Sequence, residues 1–130
     1  GNKKYAKAYT NLAALYDQMK KPEKSIIHLK KLASETPKDP VVRNNIGFLL
    51  SQNGKLDEAI KWYKESIKIW DKYPNAYYNL AEALEKKGMY SEAITNFETC
   101  IKLVPQSPRN AKTLERIKKL SELKSKSGRG

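Results

Sequence analysis

Three asparagines, Asn11, Asn45 and Asn79, stand 34 residues apart. A carboxamide carries a donor and an acceptor together, so a row of them can hold the backbone of an extended peptide whatever its side chains. Asparagine is also a mediocre helix former, and the same row could be solvated helix surface and nothing more. Other reactive groups are sparse. His28, the only histidine, has no Cys/His cluster around it to make a metal site and reads as a surface residue. Cys100, the single cysteine, takes a small-residue packing place equivalent to Ser66. It reads as a buried structural thiol, excludes an internal disulfide, and fits a reducing, cytoplasmic compartment. There is no Gly-rich phosphate loop, nucleophile elbow or metal-ligand spacing, and the acids are scattered. Neither enzymatic activity nor a cofactor or metal is expected.

The same spacing runs through the elements that must position these groups. Gly47 and Ala81 lie 34 apart, as do Gly54 and Gly88, Ala59 and Ala93, Tyr63 and Phe97, and the series Pro40, Pro74 and Pro108. A fixed period of this size marks stacked helical hairpins, each too small to bury its own apolar face. The units are 6–39, 40–73 and 74–107, after a leader of residues 1–5. A capping helix, 108–123, and a flexible basic tail, 124–130, follow. Each proline opens a helix at the first position, where its missing N–H costs nothing, and Asp39 and Ser107 are placed as N-caps. Asn53-Gly54 and Lys87-Gly88 close the first helices with residues that tolerate left-handed backbone. Small residues (Gly47, Ala81, Ser25, Ala59, Ala93) are expected to face large ones (Ile46, Leu80, Leu29, Tyr63, Phe97) where helices approach closely. Trp70 is expected in the core, and Trp62 packs on a flank. In the capping helix Ala111, Leu114, Ile117, Leu120 and Leu123 form an apolar stripe. Glu115 and Lys118 replace the small and large packing residues there, so that stacking stops.

Tyr77, Leu80, Ala81, Leu84, Gly88, Tyr90, Ala93, Phe97 and Pro105 together resemble the tetratricopeptide repeat, and the match extends over residues 6–107. The first unit departs from the pattern, with Lys20 at the turn glycine, Pro22 opening its second helix and Leu32 at a usually small site. The resemblance implies an all-α, right-handed α-α superhelix of seven antiparallel-packed helices, and a segment of a longer repeat protein. It also implies a protein-interaction scaffold that takes an extended or helical peptide in a concave groove lined by the first helix of each pair. The groove residues would then be Lys7, Thr10 and Asn11, then Asn44, Asn45 and Phe48, then Asn75, Tyr78 and Asn79. Arg109 and Lys112 would extend it from the capping helix. The branch of the family that docks chaperone tails uses a two-carboxylate clamp of Lys, Asn, Asn, Lys and Arg. Those places hold Thr10, Ala14, Asn45, Asn75 and Asn79 here, so one of five matches. Tight carboxylate capture is therefore not expected.

A formal net charge of +12 belongs to the ends. Residues 1–39 hold nine Lys/Arg against four Asp/Glu and residues 108–130 eight against two, whereas residues 74–107 hold three against four. Basic ends leave a rival open, the binding of nucleic acid or another polyanion. A third alternative is self-association into a homo-oligomer through the open edge of the first unit. No apolar stretch approaches the roughly 20 residues of a membrane span.

Overall fold

The computed structural model describes residues 21–127. They contain six helices: α1 (Pro22–Glu35), α2 (Pro40–Gln52), α3 (Leu56–Ile69), α4 (Pro74–Lys86), α5 (Tyr90–Leu103) and α6 (Asn110–Ser127). The expected seventh, at the start of the first unit, lies outside the described residues. The chain divides into two compact units, residues 1–71 and 72–130. In the first, α2 packs against both α1 and α3; in the second, α5 packs against both α4 and α6.

Proline stands at the first position of α1, α2 and α4. The Asp39 carboxylate caps α2 by accepting from the backbone N–H of Val41 at 2.9 Å and of Val42 at 3.3 Å, satisfying two donors that the helix itself leaves unpaired. The two hairpin turns are copies. Gly54 and Gly88 both sit at φ 80°, a conformation that costs an L-residue roughly 1–2 kcal/mol. The same pair of turn bonds follows in each: Gly54 N–H to Ser51 O at 3.0 Å and Lys55 N–H to Leu50 O at 2.9 Å, then Gly88 N–H to Glu85 O and Met89 N–H to Leu84 O, both at 2.9 Å.

In the first unit Leu29, Leu32, Val42, Ile46, Leu50, Ala59 and Tyr63 are buried. Gly47 is where α2 meets α3 most closely. A Cβ added there would lie 2.6 Å from Tyr63 Cε1, so the ring occupies the space that glycine leaves. Ser66, fully buried on α3, donates from Oγ to Pro40 O at 2.7 Å and ties the start of one helix to the other. Arg43 closes α1 from a distance. Its guanidinium donates to Ala33 O, Thr36 O and Asp39 O at 2.9–3.0 Å, a cation at a helix C-terminus where it is favoured.

In the second unit Ala76, Leu80, Ala81, Ala83, Leu84, Ala93, Phe97 and Cys100 are buried. Burying a side chain such as Phe97 contributes about 2 kcal/mol.

Three expectations need correction. Trp70 is 47% exposed rather than core, because α3 ends at Ile69 and Trp70, at φ −139° and ψ 96°, has already left the helix. The last helix begins at Asn110, not Pro108. The Ser107 hydroxyl accepts from Arg109 N–H at 3.3 Å and Asn110 Nδ2 donates to Val104 O at 2.7 Å, holding residues 107–109 in a turn. This helix also runs on to Ser127, with Lys124 and Lys126 in its last turn, where positive charge suits the helix dipole. Third, the expected stripe of α6 is not one face: Thr113 and Leu120 are buried, while Ala111, Leu114 and Leu123 are exposed.

Candidate functional site

Each unit presents part of the expected binding face. In the first, Val41, Asn45 and Phe48 follow one side of α2, at spacings of four and three. Val41 and Phe48 are exposed, 41% and 42%, and Asn45 is half-buried. Asn44, expected beside them, is buried and belongs to the packing side. Lys7, Thr10 and Asn11 lie outside the described residues.

In the second unit Asn75 is exposed, and Tyr78 and Asn79 are half-buried along α4. Here the structure assembles more than the sequence promised. The Arg109 guanidinium lies over the Tyr78 ring, 4.1 Å from its centroid, and the Tyr78 ring meets Phe97 edge-on at 5.3 Å. Stacking of this kind fixes a planar cation that would otherwise be free to wander. The Arg109 guanidinium also lies 3.8 Å from the Cys100 sulfur. Burial pushes the Cys100 thiol up from its ordinary pKa, against the opposing pull of Arg109. The sulfur is thus a neutral, covered group, as its packing place implied. Lys112 is exposed one turn further along α6.

Arg116 was not foreseen. It reaches back to α4, with Nε donating to Glu85 Oε1 at 2.9 Å and Nη1 to Glu82 Oε2 at 3.1 Å, and its guanidinium lies 5.6 Å from the Phe97 centroid. Burial works against its charge, but the hydrogen bond and charge of Glu85 and the charge of Glu82 outweigh that, and its pKa rises. The signal was present in the period, since Glu82 and Arg116 are 34 apart and occupy the same place in successive units. Among the described residues no group of His, Cys, Asp and Glu could hold a metal ion, and no helix is long and apolar enough to cross a membrane. His28 is half-buried on α1.

Paired helices joined by identical glycine turns, repeating every 34 residues, define a helical-hairpin repeat protein. Sequence profiles described as tetratricopeptide repeat match residues 40–106 and residues 6–39, and the chain belongs to the tetratricopeptide repeat family. Over 81 residues it is 30% identical to the photosystem I assembly protein Ycf3 of Prochlorococcus marinus MED4, covering 54% of this chain and 47% of that protein. The chain thus spans about half the length of the curated relatives it matches. Its fold is shared with the first repeat domain of Spaghetti (RPAP3) bound to the HSP90 peptide SRMEEVD, at a TM-score of 0.83 and 18% identity, covering 92% of this chain and 93% of that one. It is shared as well with the Yersinia enterocolitica translocator chaperone SycD, at 0.83 and 20%, covering 92% and 85%. A third such structure is the TPR2B domain of yeast Sti1 in complex with an Hsp70 peptide, at 0.83 and 16%, covering 91% and 97%.

Proposed function

We propose that this chain is a protein-interaction module that holds a peptide segment against the first helix of each pair, without catalysing a reaction on it. The observation that carries the reading is the return of an asparagine to the same place on α2 and α4. Asn45 lies beside the exposed Val41 and Phe48, and Asn79 beside Tyr78. Amides at a helix-turn spacing from apolar side chains can grip both the backbone and the side chains of a ligand. Two of the structural neighbours are described as complexes with chaperone peptides, which supports a peptide as the class of ligand. Asn75 and Asn79, where the carboxylate clamp has cations, argue against a chaperone tail as the particular one.

The test is replacement of Asn45 and Asn79 together by Ala, followed by affinity recovery of the native partners. Recovery is expected to fall about tenfold with helix content unchanged. Undiminished recovery from the folded double variant would sink the amide reading.

A further inference from the structure

The exposed side of α6 carries a regular row of charge that the peptide face does not use. Lys112, Lys119 and Lys126 are seven residues apart. That spacing returns to the same side of a helix with a drift of about 20°. All three are exposed, and none is in either of the ion pairs formed by this helix, which both belong to Arg116. Lys112 and Lys119 line a shallow groove of about 400 Å³ with Arg116, Leu120 and Leu123, and Glu85 opposite. Leu120 is buried and Leu123 is 43% exposed, so the groove offers an apolar contact between the cations. With Arg116 engaged by Glu82 and Glu85, α6 keeps five lysines against Glu115 and Glu122, an excess of three positive charges.

We propose that this row is a docking surface for an extended acidic peptide segment, with carboxylates facing Lys112, Lys119 and Lys126 and an apolar side chain against Leu123. Charge complementarity selects the sign of the partner, and geometry selects its spacing. Seven residues of helix rise about 10.5 Å, and three residues of extended chain span about 10 Å, so an acid at every third position meets each lysine in turn. A nucleic acid fits less well. Base stacking needs an open aromatic face, and the nearby Tyr78 ring has one face under Arg109 and meets Phe97 edge-on. Glu115 and Glu122 also interrupt the path of a continuous phosphate backbone. The surface is independent of Asn45 and Asn79.

Anisotropy titration of the full chain with a fluorescent Glu-Ala-Leu-Glu-Ala-Leu-Glu peptide, blocked at both termini, tests the proposal. The blocked C-terminus removes any contribution from a terminal carboxylate. The K112Q/K119Q/K126Q variant is expected to lose about tenfold in affinity. The charge-matched K61Q/K64Q/K68Q variant of α3 and the N45A/N79A variant should each stay within about twofold, with circular dichroism confirming helix in all. The proposal is overturned by no binding at low salt, by equal losses in the two lysine variants, by equal binding of the Gln-for-Glu peptide, or by tighter binding of single-stranded oligo-U RNA.

Discussion

The hairpins α2–α3 and α4–α5 are two solutions to one packing problem, and they differ where one side chain must yield to another. In the first, Gly47 gives way to the Tyr63 ring; in the second, the same two places hold Ala81 and Phe97, both fully buried. The first ties its helices with the Ser66–Pro40 hydrogen bond. The second has Cys100 at the serine's place, under Arg109. On the outward side Phe48 stands exposed, whereas Glu82 at the equivalent place is engaged by Arg116. The lesson is that the period conserves volume and turn geometry in the interior, while the outward side is free to change from apolar to charged.

The strongest way to break the comparison is to empty both cores. Tyr63→Ala and Phe97→Ala are each expected to cost about 3–5 kcal/mol in urea unfolding. A loss at only one position would mean that the hairpins are not equivalent. Next, Gly47→Ala is expected to destabilise by about 1–2 kcal/mol despite its better helix propensity, because the new Cβ overlaps the Tyr63 ring. In a Tyr63→Ala background the same change should become neutral or stabilising, a coupling that a double-mutant cycle reads directly. Smallest is Arg116→Gln. Its two ion pairs are about a third exposed, so the loss should stay under about 1 kcal/mol and shrink at high salt. A salt-independent loss would count against pairing as its cause.

Much of the interior was legible in the sequence, because it is written in residue volume and backbone tolerance. Gly54 and Gly88 announced their left-handed turns, Pro22, Pro40 and Pro74 their helix starts, and the alternation of Gly47, Ala59 and Ala81 with Tyr63 and Phe97 the close approaches. Features that depend on long side chains were hidden. Arg43 reaches three carbonyls as far as ten residues back, and no local pattern distinguishes it from a solvated arginine. Apolar residues at element ends misled for a related reason. Trp70 and Leu123 fall near the apolar spacing of their helices, but periodicity says nothing about whether a neighbouring element is there to cover them. For the binding face, Asn45, Tyr78 and Asn79 could be placed on their helices, yet the stacking of Arg109 on Tyr78 depends on a turn that the expected helix start at Pro108 did not include.

The positions of the two tryptophans have a consequence for spectroscopy. Trp62 is half-buried on α3 and Trp70 stands partly open to water just beyond it, and the chain has no others. Indole emission therefore watches residues 1–71 alone, while far-ultraviolet dichroism sums the helices of both units. In a quasi-linear array, where each repeat leans on its neighbours, the two signals need not move together. Coincident denaturation curves would show that the units melt as one; an emission change that leads or lags the dichroism would resolve which half of the array lets go first.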